Sequence, residues 1–310
     1  MNKISTYFLM LFQLSLLAMM PAMIYAQQAD SKNKVQGTEK TIAVNPDVKL
    51  SIIAKGGGIK LRGWERDEVR VSSATERRIE FQRTDETETN VKNSATLIQV
   101  MISGFEGEIN LDVPRSATVI ISLSLGNVNV EDVAAAQIAA QTGGITLRRV
   151  SRLVEATSVG NILVKDSSGT IRLSSVSGTI EVSNVRAIAK TDGVQIYSVS
   201  GDVLLERADY ARIEVATVSG NILLLSPWAK ETICNFNTTT GDITLNLASD
   251  TSFQVSVTVG EKGKIINEFP LKPSDNSNSN GSRRLNGRYG TGGSTFNLAS
   301  FSGQVHLRRK

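Results

Sequence analysis

A single cysteine, Cys234, and a single histidine, His306, are all that 310 residues offer. One cysteine cannot form an intramolecular disulfide, so the staples that small exported domains rely on are excluded. One histidine without a cysteine partner or a carboxylate cluster does not make an ordinary zinc site. A serine–histidine–carboxylate triad would have to use it, and no G-x-S-x-G surrounds any serine. Helical signal is nearly missing: Ala134–Ala140 keeps a strand register and Ala208–Ala211 is too short. Charge of one sign is missing too. Against 34 basic residues stand 30 acidic ones, a net charge of +4, without the concentrated basic face of a nucleic-acid binder. The basic tail Arg308–Lys310 reads as a solvated end.

The N-terminus has the layout of a secretory signal peptide. Lys3 supplies a positive start, Tyr7–Met20 is apolar up to Pro21, and Ala26 offers a small residue before Gln27. A retained anchor is the alternative, since an apolar run of about 17–20 residues borders on a spanning length. No cysteine follows the apolar run, so a lipoprotein anchor is excluded. Residues 1–26 are therefore expected to be a signal peptide and 27–39 a flexible leader. The chain is expected to be exported, whether periplasmic, outer-surface or secreted.

What is abundant is a glycine followed by a short alternating strand. It reads L-G-N-V-N-V at Leu125–Val130, T-G-G-I-T-L at Thr142–Leu147 and V-G-N-I-L-V at Val159–Val164. Further copies begin at Ser168, Ser177, Ser200, Ser219, Thr240 and Ser302. Such self-similarity means stacked units, none able to bury its apolar face alone. The glycines recur every 17–23 residues, so one unit holds two or more short strands. Ile145 and Leu147, Ile171 and Leu173, Ile180 and Val182, Val203 and Leu205, and Ile243 and Leu245 share an inward face. A second inward set, Ile138, Val215 and Phe236, lies five residues before a glycine. Cys234, seven before Gly241, matches Ile213 before Gly220 and Leu153 before Gly160, which turns it inward as a small hydrophobe. Each glycine precedes a turn residue, so positive φ is expected at corners such as Gly201 and Gly220.

The fold class that follows is all-β: a single-stranded β-helix or β-solenoid-like stack with short strands and glycine corners. One domain is expected over 40–310, with N-terminal strands in 40–123 and repeats in 124–270. A mobile loop is expected over 271–293, where S-D-N-S-N-S-N-G-S-R-R is of low complexity. Strands at 294–310 should close the stack. Thr84–Asn93 reads as a charged turn or insertion.

Chemistry is sparse. A carbohydrate-cleaving β-helix needs paired carboxylates on adjacent coils. The outward positions Thr146, Leu163, Arg172, Glu181, Leu204, Leu223 and Thr244 include one acid. Asp202 and Asp242 follow corner glycines and alternate with Asn127, Asn161 and Asn221, which suits turns rather than catalysis. The G-G-x-G-x-D repeat of calcium-binding β-rolls is missing. His306 falls between inward Val305 and Leu307 and should face solvent. No catalytic residue, cofactor or metal is therefore expected. Leu163, Leu204, Leu223 and Leu225 face outward by register and form either an interaction patch or a surface beneath the Thr251–Phe269 strands or the long loop.

The segment Leu61-Arg62-Gly63-Trp64-Glu65-Arg66-Asp67-Glu68-Val69-Arg70-Val71 resembles the N-terminal signature of a large bacterial family that carries an adhesin label on a domain of unknown function. The repeated V-S-G-[DNT]-[IV]-x-[LV] at Val176, Val199 and Val218 is similar to that family's repeats, as is Gly287–Gly293 with the final F-S-G-Q-V-H-L. The likeness spans roughly 40–310. It implies a β-solenoid-like domain at the bacterial envelope and supplies no catalytic residue to transfer. Asp192-Gly193-Val194, with Asp in place of Ser, departs from the pattern and suggests an irregular coil. The expected function is an exported, non-enzymatic structural or interaction protein of the cell envelope, adhesin-like, binding an unknown protein or glycan or itself. A periplasmic envelope-stress or scaffold component and a polysaccharide-active β-helix enzyme are the alternatives.

Overall fold

The computed structural model describes residues 39–73, 78–84, 97–104, 107–225, 231–271 and 282–310. The expected signal peptide, nearly all of the expected leader and of the Thr84–Asn93 stretch, and positions 272–281 of the expected loop lie outside these residues. Val35–Lys310 is one compact unit. Strands dominate and, among the described residues, there is no helix.

The repeats form coils of two strands, one in each of two sheets. The coils are β8 (Thr118–Leu125) with β9 (Val128–Glu131), β10 (Ala135–Thr142) with β11 (Ile145–Arg148), and β12 (Leu153–Ser158) with β13 (Ile162–Lys165). Next come β14 (Thr170–Ser175) with β15 (Ile180–Arg186), and β16 (Val194–Ser198) with β17 (Val203–Asp209). The last two are β18 (Arg212–Thr217) with β19 (Ile222–Leu225), and β20 (Ile233–Thr238) with β21 (Ile243–Leu247). Odd strands pair in parallel in sheet I and even strands in sheet II, so that Ile145, Ile162, Ile180, Val203, Ile222 and Ile243 stand in one column. All of them are buried, as are Val154, Ile171, Val194, Ile213 and Cys234 in sheet II. The expected all-β solenoid is what forms, with two strands per turn.

At both ends the chain doubles back. β1 (Glu39–Ala43), β2 (Lys49–Gly56), β3 (Gly58–Trp64), β4 (Glu68–Ser73), β5 (Ile79–Thr84), β6 (Leu97–Ile102) and β7 (Glu108–Pro114) precede the repeats. β2 and β3 lie against β8 and β9, β6 and β7 come next, and antiparallel β5 and β4 lie outside them. After the repeats come β22 (Phe253–Val259), β23 (Lys264–Asn267), β24 (Arg283–Tyr289), β25 (Ser294–Ser300) and β26 (Gln304–Arg309). The final pair, β25 and β26, slots between β20/β21 and β22/β23. The 294–310 strands therefore do not close the stack; β22, β23 and antiparallel β24 do. Nor is 283–289 a loop: Leu285, Gly287 and Tyr289 face Val257, Val255 and Phe253 across β22. Polar intervening residues and Gly287, whose place beside Leu271 leaves little room for a side chain, hide that alternation in the sequence.

Register also differs at two sites. Val154, not Leu153, aligns with Ile171, because the coil is one residue shorter before Gly160. The copy beginning at Ser168 lies in sheet II as β14, opposite its sequence relatives in sheet I. Arg172 is thus an outward residue of the other face.

The corners explain the repeat. Gly126, Gly143, Gly160, Gly178, Gly201, Gly220, Gly241 and Gly303 form a column in which each Cα faces the backbone of the glycine one coil earlier. A Cβ on Gly201 would lie 1.9 Å from the Gly178 carbonyl oxygen, and one on Gly220 2.0 Å from that of Gly201. Positive φ occurs in this column only at Gly126 and Gly143. At Gly201 and Gly220 the requirement is close backbone approach, which corrects the expectation of a left-handed corner there. Inside the column runs a row of buried hydroxyls. Ser175, Ser198, Thr217, Thr238 and Ser300 each accept the N–H of the glycine three residues on, at 2.9–3.1 Å. Several also donate to the glycine carbonyl one coil back: Ser158 to Gly143 at 2.7 Å, Ser175 to Gly160 at 3.0 Å and Ser300 to Gly241 at 3.0 Å.

Gly220→Ala is expected to cost about 3 kcal/mol or more, since backbone must move. Gly144→Ala, where a Cβ would meet nothing nearer than 3.6 Å, should stay within about 0.5 kcal/mol of wild type. Denaturant melts of the two variants compare them directly. Thr238→Val leaves the Gly241 N–H and the Gly220 carbonyl without their hydroxyl. A loss of about 2 kcal/mol is expected, and a melt equal to wild type would remove the hydroxyl row from the account.

Candidate functional site

Among the described residues, the outward positions singled out from sequence, other than Arg172, come together on the outer face of sheet I. Lys60, Asn129, Thr146, Leu163, Glu181, Leu204, Leu223, Thr244 and His306 stand side by side across successive strands. Parallel pairing with the side-chain alternation in phase makes this row; no loop positions it. Most of its members are half-buried, because neighbours about 4.8 Å apart shield one another.

A shallow open groove of about 400 Å³ crosses this face over Asn129, Thr146 and Leu163, with Asn127 and Asn161 on one side and Glu181 at one end. It shares Asn129 and Thr146 with a second groove of about 460 Å³ bounded by Lys60, Arg62, Asn110, Asp112, Glu131 and Arg148. Ion pairs line the rims: Lys165–Glu181 at 3.1 Å, Lys60–Glu108 at 2.9 Å and Arg70–Asp112 at 2.6 Å. Towards the C-terminus the floor turns apolar at Leu204, Leu223 and Leu225. β22 belongs to sheet II and β23 lies beyond β26, so the Thr251–Phe269 strands do not lie on these leucines.

The other candidates have structural work. Asp202 accepts the Asn221 N–H at 2.8 Å and Asp242 the Gln304 N–H at 2.7 Å, while Asn127 accepts that of Gly144 at 2.8 Å. These side chains cap the next coil's corner and do not converge. Cys234 is fully buried, and desolvation pushes its thiol far above the ordinary value, away from nucleophilic use. His306 is on the outer face, though mostly covered: its Nε2 meets Glu268 at 3.0 Å and its Nδ1 accepts Arg308 Nε at 3.1 Å. The Arg309 amide, with His306, holds the Glu268 carboxyl below the usual glutamate value. Among the described residues no three His, Cys, Asp or Glu side chains are grouped to hold a metal ion. Glu181, the one outward acid of the row, is tied to Lys165.

A second corner escaped sequence reasoning. Asp132, Arg149, Asp166, Asn184 and Arg207 all adopt left-handed φ near 50–60°. Their spacing of 17–23 residues parallels that of the glycines and was the available signal. Arg149 donates to Asp132 through Nε at 2.7 Å and Nη2 at 3.0 Å. That guanidinium holds the Asp132 carboxyl below its ordinary value.

A profile of the Toastrack DUF4097 family matches residues 29–308. The chain belongs to the Toastrack family. No curated protein matches it. Among solved structures, that of a "putative cell adhesion protein" from Clostridium sporogenes is similar over 88% of this chain and 99% of that one, at 12% identity and a TM-score of 0.25. In this Toastrack domain the V-S-G repeat is a corner piece. Its valines lie on the outer side of the bend, and Ser177, Ser200 and Ser219 donate to the carbonyls of Val159, Val176 and Val199. The Gly-Trp segment carries the chain across β7 from β3 to β4. A Cβ on Gly63 would lie 1.7 Å from the Asp132 carbonyl oxygen, and Trp64 donates Nε1 to Glu68 while Arg70 lies over its ring.

Asp192, the departure from the repeat, secures the longest coil. Its carboxylate accepts the Ala189 N–H at 2.7 Å, the Ile188 N–H at 2.9 Å and the Thr170 hydroxyl at 2.8 Å. The Ala189 amide first, then that of Ile188 and the Thr170 hydroxyl, hold its pKa below the ordinary aspartate value. A pKa lowered by folding stabilises fully above the unfolded value and is lost as pH falls through the folded one. The stability gap between wild type and Asp192→Asn should therefore be widest near neutrality and shrink below about pH 4. Denaturant melts at both pH values test this; a gap that does not narrow rejects the capping role.

Proposed function

We propose that this chain is an exported, non-enzymatic interaction module of the bacterial cell envelope, and that the outer face of sheet I is the surface it presents. The grooved row running from Lys60 and Arg62 through Asn129, Thr146 and Leu163 to Leu204 and Leu223 carries this reading. Rigid paired strands hold polar, ionic and apolar side chains at fixed intervals, which suits recognition of an extended partner. The partner is an envelope protein or a glycan. Sugar hydroxyls suit Asn129, Thr146 and the rim charges, while an apolar sugar face or aliphatic side chains suit the leucines. Glycan cleavage is disfavoured because Glu181 is paired with Lys165 and, among the described residues, has no second carboxylate in the lining of its groove. The apolar N-terminal stretch supports export, and export alone serves an envelope scaffold as well as an adhesin.

The test is co-sedimentation of the chain with isolated envelope fractions of the producing cell, protein-bearing and protease-stripped. Leu204→Ser with Leu223→Ser should reduce capture at least tenfold while the thermal melt stays close to wild type. Undiminished capture by the double variant would move the binding surface elsewhere. Hydrolysis of an envelope glycan by the intact chain would overturn the non-enzymatic reading.

A further inference from the structure

The residue that follows each corner glycine stands in a column of its own beside sheet I. Where it is Asn or Asp, its side-chain oxygen accepts the N–H of the column's next member. Asn127 accepts from Gly144, Asn161 from Thr179, Asp202 from Asn221, Asn221 from Asp242 and Asp242 from Gln304. Between Asn127 and Gln304, Gly144 is the only member without a side chain. A Cβ there would meet nothing nearer than 3.6 Å, so the space beside it is open. The result is a notch between Asn127 and Asn161, whose strands β9 and β13 are two layers or about 10 Å apart. The groove of about 400 Å³ runs through it.

The amides on either side of the notch are held in one orientation. With Oδ1 taken by a backbone N–H at 2.8 Å in Asn127 and 2.9 Å in Asn161, each Nδ2 keeps two N–H donors. Among the described residues neither Nδ2 has an acceptor. On the floor, the Asn129 amide and the Thr146 hydroxyl are likewise without a hydrogen-bond partner among the described residues, and Leu163 is apolar. The lining there holds no cation, and its one carboxylate, Glu181, is ion-paired with Lys165 at 3.1 Å. The notch is thus neutral and rich in unsatisfied hydrogen-bonding groups, with one apolar patch.

We propose that the notch at Gly144 is a subsite for one pyranose ring of a neutral glycan, an inference that rests on the outer face of sheet I being the recognition surface. Hydroxyl oxygens of the ring take hydrogen bonds from Asn127 and Asn161 on the two sides, and the Thr146 hydroxyl and Asn129 amide serve those pointing to the floor. The C–H face of the ring lies on Leu163. A few convergent polar groups around an apolar contact are what fix a small ligand in a site. An acidic sugar finds no cation free in the notch. An extended peptide draws its main-chain hydrogen bonds from an unpaired sheet edge, and β9, β11 and β13 are paired on both sides. These two contrasts select the neutral sugar.

Saturation-transfer NMR of the chain with cellotetraose, chitotetraose and maltotetraose, and with tetragalacturonate as the acidic counterpart, tests this. At least one neutral tetramer should bind, and tetragalacturonate should not. Asn127→Asp with Asn161→Asp keeps both corner caps, a role Asp202 and Asp242 already fill in the same column, and exchanges each donor for an acceptor. Gly144→Asn instead fills the notch with the residue that other coils carry. Each variant should weaken binding of that tetramer about tenfold or more with a melt close to wild type, and either one answers the question if the other does not fold. The proposal is overturned by folded variants that bind as wild type does, by tetragalacturonate binding as tightly, or by no neutral tetramer binding. Envelope capture that disappears on protease stripping would make the partner a protein and overturn it too. In each of these cases the Leu204→Ser, Leu223→Ser comparison still judges the recognition surface separately.

Discussion

The close approach of glycine to glycine at one corner is the constraint on which the stack depends. Each coil can lie directly on the one before it only if no Cβ intervenes, and between Gly178, Gly201, Gly220 and Gly241 the space for one is absent. Bringing backbones this near would strand amide and carbonyl groups in a dry interior, where an unmet polar group is costly. The buried Ser and Thr hydroxyls supply those partners, accepting within a coil and donating to the coil before. Glycine and hydroxyl therefore work as one device.

In the proposed role, recognition falls to the outer surface. The interior is a column of branched aliphatic residues with Phe236, Phe253 and Phe296, and Cys234 among them behaves as another apolar side chain. Parallel register then lays the outward residues in rows whose composition changes slowly from coil to coil. Charged pairs dominate sheet I near β3, β7 and β11, and leucines dominate near β17 and β19. In the proposed role, recognition by such a face depends on which residues stand in a row along the two shallow grooves.

Much of this was legible in the residues. Alternation in the G-x-[IV]-x-[LV] copies identified the inward face, and Ile145, Ile180 and Ile243 are where the period puts them. The outward leucines and His306 likewise lie on the face their parity assigns. Other features left no local mark. The copies beginning at Ser168 and Ser177 look alike, yet one is in sheet II and the other in sheet I, because a hexapeptide does not record which side of the core it started from. Gly201 appeared to need positive φ, since a sequence shows a glycine but not the carbonyl lying against it. β24 was hidden because Leu285 and Tyr289 are its only apolar residues.

By itself, then, the sequence determined the repeat, the inward and outward parity of the strands, and the need for a long core without disulfides. These depend on side-chain periodicity, which is local. Only the tertiary structure decided the order of layers, with β2/β3 and β25/β26 set inside the strands that flank them in sequence. It alone brought Lys60, Thr146, Leu204 and His306 into one row. Those outcomes rest on pairing between strands far apart along the chain, which the pattern within any one strand does not specify.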